Sequence, residues 1–355
     1  MTGNKSNKLK LYADLKYLVP GVRYVVVLEP FWGSIPETEG SNDLGRFDEY
    51  VNSGQEFLEL TPLEEADAAL LPMEWRTGDA EVQRLARLLA EEAGRSGKKV
   101  IIFFNSDSME DIPIDNAIIF RTSFNCSSRK PNEFALPGWS VDFLSRYHSS
   151  KLAIRPKRPT PVVGYCGYID YNSALSGLKA VMKSVLGKSP IGNRLRGSAV
   201  RSLIRNPKVA ANFIIRDGCL TGSSSREQRL EYVQNIIDSD YALVVRGGGN
   251  FSYRLYEVLS CGRIPLFIDT DCVLPFDQLI DWQKQCVWVK QDELTSIGEK
   301  LADFHARLSE QEFIELQYGA RKLYEEWISP VGFHRNLWRC VRDAGGGSIG
   351  NECTS

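Results

Sequence analysis

The feature that most constrains the fold is a series of short, almost wholly apolar runs separated by helical or polar sequence. Residues 99–104, 241–245 and 264–268 are such runs, and runs of this kind are typical of buried parallel strands. Residues 79–94 repeat apolar side chains at helical spacing. The alternation predicts an α/β fold in which helices cover parallel sheets. The same pattern predicts further strands at residues 23–28, 66–72, 117–120, 161–167 and 286–290.

A composition break divides the chain. Residues 151–161 contain three prolines and four basic residues, which predicts an extended linker. A single hydrophobic core stops growing at roughly 250–300 residues, so a chain of 355 residues favours two domains. We expect domains at residues 1–155 and 156–325, and a frayed Gly/Ser-rich tail at residues 346–355.

Charge and residue content exclude several classes of protein. The formal net charge of −2 argues against nucleic acid as a partner. The eight cysteines form no Cys-x-x-Cys pair and there are only three histidines, which argues against a metal centre and favours reduced thiols. No run approaches the roughly 18 apolar residues of a membrane span. We therefore expect a cytoplasmic protein, with peripheral membrane contact left open.

The segment most informative about ligand binding is residues 241–262, in which a predicted strand, a run of glycines and a predicted helix follow one another. The glycines at positions 247–249 leave backbone amides free to approach a ligand closely. Asn250 or Ser252 is expected to cap the helix that follows, and Gly262 to end it. The first turn of such a helix presents unpaired N–H groups and the positive end of the helix dipole. The segment therefore favours an anionic ligand.

Two charged side chains refine this expectation. Arg254, in the first turn, suits phosphate oxygens, and Glu257 lies on the same helical face and can accept hydrogen bonds from ribose hydroxyls. Together they fit a nucleoside diphosphate, although a surface ion pair between them remains the alternative. Neither Gly-x-Gly-x-x-Gly nor a Gly-Lys-Ser/Thr phosphate loop occurs here, which argues against a dehydrogenase and a P-loop ATPase.

Several motifs together resemble the exostosin-type glycosyltransferase domain. Ser252-x-Arg254-x-x-Glu257 is followed by Cys-Gly-Arg-Ile-Pro at 261–265, Leu-Pro-Phe at 274–276 and Ile-Asp-Trp at 280–282. A weaker match lies upstream at residues 60–67 and 71–72. The chain departs from the family pattern in three places: Val258 replaces alanine, the Gly-Cys pair is swapped, and Arg246 replaces an apolar residue or proline.

The resemblance implies an inverting glycosyltransferase of the GT-B arrangement, with two facing Rossmann-like domains. A helix at residues 326–345 would return to the first domain. The donor, with a UDP-sugar favoured, would bind the second domain, and a hydroxyl of a glycan or polysaccharide acceptor would face the first. The expected activity is hexosyl or pentosyl transfer that needs no metal cofactor.

The same arrangement implies where the site residues lie. Ligands of open α/β sheets bind beyond the carboxyl ends of the strands. The rim of the nucleotide-sugar site would then be formed by Arg246, Gly247, Gly248, Asn250 and Ser252, near the turn that holds Gly164 and Gly167. A general base must deprotonate the acceptor. The candidates are the carboxylates that follow apolar strands, namely Glu74 and Asp107, with Glu29 third.

Alternatives remain open from the sequence. The donor could be GDP-fucose, or the chain could bind a nucleotide sugar or glycan without turnover. Asp269-Thr270-Asp271 could hold a divalent cation, as Asp-x-Asp does in the other major glycosyltransferase fold. The basic cluster of Arg194, Arg196 and Arg201 could face the diphosphate or lie in solvent. Three tryptophans could stack on acceptor sugars or lie in the core, namely Trp32, Trp75 and Trp139.

Overall fold

Two parallel β-sheets organise the protein. The computed structural model describes residues 8–37, 41–169, 191–216 and 225–345. The first sheet has the strand order β2-β1-β3-β4-β5-β6 and the second has the order β11-β10-β9-β7-β8, with every pairing parallel. The predicted α/β class is confirmed. The strands are β1 Leu9–Tyr12, β2 Leu58–Leu60, β3 Ala68–Leu70, β4 Val100–Phe104, β5 Ala117–Arg121, β6 Glu133–Ala135, β7 Val162–Tyr168, β8 Ala210–Arg216, β9 Tyr241–Val244, β10 Ile264–Asp269 and β11 Val287–Lys290.

Helices cover both sheets. The predicted helix after residue 79 is present. Asp79 is its N-cap, and the Asp79 side chain accepts hydrogen bonds from the Glu81 and Val82 amides. In the described ranges, no helix combines the length and apolar character needed to cross a bilayer. The helices are α1 Glu29–Trp32, α2 Asp48–Ser53, α3 Ala80–Arg95, α4 Phe143–Tyr147, α5 Ile191–Arg205, α6 Arg226–Ile237, α7 Tyr253–Ser260, α8 Ile297–Arg307, α9 Glu310–Leu323 and α10 Pro330–Gly345.

Each sheet is buried on both faces. Helix α3 packs on one face of the first sheet through Leu85 and Leu89. On the second sheet, α6 and α7 cover one face, while α5 and α8 cover the other. Since apolar layers lie on both sides, the strands need no polar face, which explains their continuous apolar sequences.

The last helix, α10, packs against the first sheet. Phe333 contacts Phe120 with ring centroids 5.8 Å apart, and Leu337 and Val341 lie in the same apolar cluster as strand β1. The chain therefore returns to the first sheet after completing the second. The segment between Tyr147 and Val162 has no regular secondary structure and is anchored by an ion pair between Arg155 and Asp240 (Nε to Oδ1, 2.6 Å).

The structure corrects three expectations. Residues 23–28 are not a strand: Tyr24 forms an isolated bridge to Met73, and Val26–Leu28 is a 3₁₀ turn whose Val27 carbonyl accepts from the Tyr50 hydroxyl. A short apolar run can be buried without joining a sheet, so its pattern alone does not identify a strand. Strands β1, β2, β6 and β8 were not predicted. Cys126 is disulfide-bonded, which contradicts the expectation of a reduced thiol there.

Candidate functional site

A cavity of about 450 Å³ lies in the cleft between the two sheets. Its walls come from loops beyond the carboxyl ends of strands in both sheets, and from the first turn of α7. This is where open α/β sheets bind ligands. The residues around the first sheet, called the first domain below, contribute Asp43, Arg46, Asp107 and Ser140. Those around the second sheet, called the second domain, include Gly167, Arg196, Arg229, Gly247, Gly248, Ser252, Arg254 and Glu257.

Arg254 lies on the wall of this cavity with one donor group unused. Its Nη2 donates to the Cys166 carbonyl (2.6 Å) and its Nε donates to the Tyr232 hydroxyl (3.2 Å). The guanidinium also stacks over the Tyr165 ring, 4.4 Å from the centroid. Nη1 is buried and has no hydrogen-bond partner among the described residues. A guanidinium held on two sides with a free N–H group is suited to an anionic oxygen.

Glu257 is almost fully buried, at 6% exposure, one helical turn after Arg254. Its carboxylate accepts from the Ser140 hydroxyl (2.8 Å) and the Tyr232 hydroxyl (2.5 Å), and Arg229 Nη1 lies 3.7 Å away. Burial raises the pKa of Tyr232 far above its ordinary value, so this hydroxyl stays a donor. Arg254 and Glu257 therefore share Tyr232 and do not form a simple surface ion pair. A carboxylate has about four acceptor positions, so capacity remains for a ligand hydroxyl.

Two further arginines contribute positive charge. Arg229 pairs with Asp43 across the cleft (Nη2 to Oδ1, 3.2 Å) and its Nε is buried without a hydrogen-bond partner among the described residues. Arg196 donates to the backbone carbonyl of Arg246 (2.9 Å). Of the basic cluster considered from the sequence, only Arg196 is among the residues that line the cavity, and Arg194 is exposed.

The glycine run meets the first domain directly. A Cβ added at Gly248 would lie 2.6 Å from Asp107 Oδ2, and one at Gly249 would lie 2.7 Å from Oδ1. Gly247 and Gly248 line the cavity. The side chain of Arg246 does not, because its Nη2 bends back to the Gly248 carbonyl at 3.3 Å. The glycines therefore allow Asp107 to approach the loop at residues 247–249 closely.

Three residues assigned to the nucleotide-sugar site from the sequence have other roles or contacts. Gly164 lies inside β7, where a Cβ would come within 2.3 Å of Ser239 Oγ, and it does not line the cavity. Asn250 is fully buried and also absent from the lining. Its Nδ2 donates to the Thr270 carbonyl (3.0 Å) and Asn125 Oδ1 (2.7 Å), so it joins the domains. Ser252 is the N-cap of α7 and lines the cavity, but its side chain makes no capping hydrogen bond.

A second cavity, of about 290 Å³, adjoins the first and is lined mostly by the first domain. It contains Glu74, which forms no hydrogen bond or close ion pair with another described residue. Burial raises the pKa of the Glu74 carboxyl, and nearby arginines oppose part of that rise. Trp139 lines this cavity, whereas Trp75 is buried at 3% exposure. Glu29 does not line the cavity and is paired with Arg23 (3.0 Å).

Arg46 and Tyr253 line both cavities. Burial raises the pKa of the Tyr253 hydroxyl; Arg46 opposes this, while Asp107 and Glu74 add to it. Both candidate bases therefore lie within electrostatic reach of one tyrosine. The junction of the two cavities is where a molecule in one would meet a molecule in the other.

The acidic triplet at residues 269–271 uses its carboxylates in protein contacts. Asp269 accepts from the Asp271 amide (2.9 Å) and from Trp288 Nε1 (3.3 Å), and Asp271 accepts from the Ser127 amide (3.1 Å). The described residues contain no group of three His, Cys, Asp or Glu side chains placed to hold one ion. The Asp-x-Asp alternative thus has no free carboxylate cluster in this part of the chain.

Sequence reasoning missed Arg46, Arg229 and Tyr253. Tyr253 lies beside Arg254 in the motif, so its position at the start of a helix after the glycine run was an available signal. Arg46 and Arg229 are far from the motif in sequence, and only the packing of the two domains brings them to the cleft. No local pattern distinguishes either of them from a surface arginine.

Comparison with known proteins relates the second domain to a family. Residues 184–304 match the family model described as the Exostosin GT47 domain. The chain is 31% identical over 103 residues to the Exostosin-1 homolog of Caenorhabditis elegans, covering 29% of this chain and 26% of that protein. It is 22% identical over 241 residues to Exostosin-1a of Danio rerio, covering 63% and 30%. It is 24% identical over 158 residues to the probable arabinosyltransferase ARAD1 of Arabidopsis thaliana, covering 42% and 34%.

The matched regions span about a third or less of the length of these relatives. Among solved structures, the chain is similar to HepE of Anabaena in complex with UDP and glucose, with a TM-score of 0.35 and 8% identity over 94% of this chain and 99% of that one. It is also similar to TarM, with a TM-score of 0.31 and 11% identity over 68% and 54%. The resemblance stated from the sequence motifs is confirmed by the family match.

Proposed function

From the premise that this chain is of the exostosin type, we propose that it is a glycosyltransferase that moves a sugar from a nucleoside-diphosphate donor, with UDP favoured, to a hydroxyl of a glycan. The observation that carries the proposal is Nη1 of Arg254 on the wall of the interdomain cavity, one turn from Glu257: this group is buried and has no hydrogen-bond partner among the described residues. Arg229 and Arg196 add two further cations to the same wall. This donor set suits a pyrophosphate, and the carboxylate suits a ribose.

The reaction needs charge stabilisation on one side and a base on the other. The bond between the anomeric carbon and the diphosphate oxygen breaks, and the leaving diphosphate gains negative charge that Arg254 and its neighbours stabilise. A bond forms from the acceptor oxygen to the opposite face of that carbon, giving inversion. The proton of the acceptor hydroxyl passes to a carboxylate.

Glu74 is the carboxylate that we propose as this base. It lies in the adjoining cavity on the first domain, where an acceptor would bind, and its raised pKa makes it a stronger base than an ordinary glutamate. Asp107 lies against the glycine run beside the donor cavity and is the second candidate. No metal is required by this scheme, because arginines supply the positive charge.

Calorimetric titration with UDP and GDP tests the proposal, followed by transfer assays with UDP-sugars. Wild-type protein should bind UDP, and Arg254→Ala should weaken that binding about tenfold or more, because hydrogen bonds to charged groups contribute about 1.5–3 kcal/mol. Arg194→Ala, which removes an exposed arginine from α5, is the matched control and should bind UDP normally. Preference for GDP would instead favour a GDP-sugar donor, and equal binding by the two variants would contradict the role of Arg254.

A further inference from the structure

Helix α10 brings one polar group of the C-terminal segment to the cavity of the first domain. His334 lines the 290 Å³ cavity together with Glu74 and Trp139, although its side chain is only 1% exposed. Its Nδ1 lies 2.7 Å from the Pro330 carbonyl oxygen. Because a carbonyl can only accept, Nδ1 carries the proton and Nε2 of the neutral ring is an acceptor. Nε2 is buried and has no hydrogen-bond partner among the described residues.

The orientation of the imidazole is held by its neighbours. The ring stacks on Tyr50 (centroids 4.0 Å apart, planes at 23°) and on Trp139 (5.4 Å, 29°). Together with the bond to Pro330, these contacts restrict both rotation and tilt of the ring. The position of Nε2 is thus determined before any ligand binds, which lowers the entropy lost when a ligand uses it.

The donor groups of the two rings that stack on His334 are already used. The Tyr50 hydroxyl donates to the Val27 carbonyl (2.9 Å), and Trp139 Nε1 donates to the Ile328 carbonyl (2.8 Å). A buried acceptor without a hydrogen bond destabilises the folded protein by about 1–3 kcal/mol, so most buried acceptors have a donor partner. Since the donors of both stacking rings are engaged elsewhere and Nε2 belongs to a residue that lines the cavity, a molecule in the cavity can supply the missing donor.

We propose that Nε2 of His334 accepts a hydrogen bond from a hydroxyl group of the acceptor sugar, so that the C-terminal helix supplies an acceptor-binding residue to the first domain. This inference rests on the proposed function, in which the cavity around Glu74 holds the acceptor. The faces of Trp139 and Tyr253 in the same cavity suit the C–H surfaces of a sugar ring. Burial lowers the pKa of His334 to about 4, so the ring is neutral and Nε2 remains an acceptor at neutral pH.

Two substitutions of His334 distinguish the role of Nδ1 from the role of Nε2. His334→Asn keeps a polar group near the position of Nδ1 and removes the one at Nε2, whereas His334→Gln keeps a polar group near Nε2. Transfer is measured from UDP-glucose and other UDP-sugars to methyl β-glucoside, methyl β-galactoside and their N-acetylamino counterparts. We expect His334→Asn to raise the acceptor KM about tenfold with an unchanged donor KM, and His334→Gln to stay within about threefold of wild type.

A structural role for His334 predicts a different result. In that case both variants would lower Tm and would raise the donor and acceptor KM together, which would overturn the proposal. Equal acceptor KM values for wild type and His334→Asn would overturn it as well. If wild-type protein neither binds UDP nor transfers sugar in any combination, the proposed function fails and the role of His334 fails with it.

A measurement on the wild-type protein covers the case in which the variants do not fold. Since the chain has three histidines, ¹⁵N-histidine labelling gives few ring signals to assign. The Nε2 resonance of His334 should shift when UDP and the best methyl glycoside are added together, and UDP alone should leave it in place. A resonance that does not move at saturating glycoside would overturn the proposal.

Discussion

Gly167 and Arg254 touch so closely that a Cβ added at Gly167 would lie 3.0 Å from Arg254 Nη2. The same Nη2 donates to the carbonyl of Cys166, the residue before that glycine. Strand β7 therefore orients the guanidinium through its backbone, although it lies almost ninety residues earlier in the chain. The position of the proposed phosphate-binding group is therefore set both by the motif that contains Arg254 and by a strand that has no charged residue.

Gly167→Ala should reduce UDP affinity by about three- to tenfold, because the new methyl group displaces Nη2 by a few tenths of an ångström and weakens its bond to Cys166. Tm should change little, since the neighbour that must move is the end of a flexible side chain. Calorimetry with UDP and a thermal melt measure the two effects. Gly164→Ala on the same strand is the matched control: its Cβ would clash with Ser239 and the Asn235 carbonyl, so it should lower Tm while sparing affinity. Equal affinity losses in the two variants would contradict this division.

Glu74→Gln should lower kcat by about 10²- to 10⁴-fold while UDP binding stays at the wild-type level, because the change removes a base and leaves the donor cavity intact. Asp107→Asn should retain most of the activity. Steady-state transfer assays with both variants make the comparison. A large loss in Asp107→Asn together with an active Glu74→Gln would move the role of base to Asp107.

The pH dependence of the same variant provides a second check. Burial raises the pKa of Glu74, so the acid limb of the wild-type kcat/KM profile should lie above the ordinary glutamate pKa of about 4.3 and should vanish in Glu74→Gln. A raised folded-state pKa contributes stability that is present below the unfolded pKa and is lost as pH rises through the folded one. Glu74→Gln should therefore have a higher Tm than wild type near neutral pH, and the difference should shrink toward pH 4. An unchanged acid limb would exclude Glu74 as the group observed.

Asn250→Ala should destabilise the protein by about 2–3 kcal/mol and lower Tm by about 5–10 °C, because it leaves the Thr270 hydroxyl and other buried groups without their partner. UDP affinity at a temperature well below the transition should be unaffected. Ser252→Ala is the control for Tm, since the Ser252 side chain makes no capping bond. A selective loss of UDP affinity in Asn250→Ala at unchanged Tm would restore the ligand-binding role expected from the sequence.

EDTA at millimolar concentration should leave transfer activity within about twofold of the untreated enzyme, because arginine side chains supply the charge at the donor site in the proposed mechanism. The assay compares initial rates with and without chelator, and then after addition of Mg²⁺ or Mn²⁺. Complete loss with recovery on adding a cation would return the Asp-x-Asp triplet at residues 269–271 to consideration.

The parts of the fold that were predictable are those in which local sequence and final environment agree. Strands β4, β5, β9 and β10 are apolar because both their faces are buried, so their sequences carry the signal directly. Strand β1 is an internal strand of its sheet, yet Leu9–Tyr12 has only four residues, one of them Lys10, and this strand was missed. Residues 23–28 carry the strongest β-branched pattern near the start of the chain, but they form a turn. The Tyr50 hydroxyl donates to the Val27 carbonyl there, and Tyr24 forms an isolated bridge to Met73.

In the candidate site, too, some features follow from the local sequence and others from tertiary packing. The sequence by itself determined that Arg254 and Glu257 share a helical face after a run of glycines, because one turn of helix sets that geometry. Only the tertiary structure decided that Tyr232 links these two side chains, that Asn250 joins the domains and lies away from the cavity, and that Arg229, Glu74 and His334 reach the cleft. The physical reason is that helical spacing acts over a few residues, whereas these contacts join groups on different elements, and their positions depend on how the helices and the two sheets pack together.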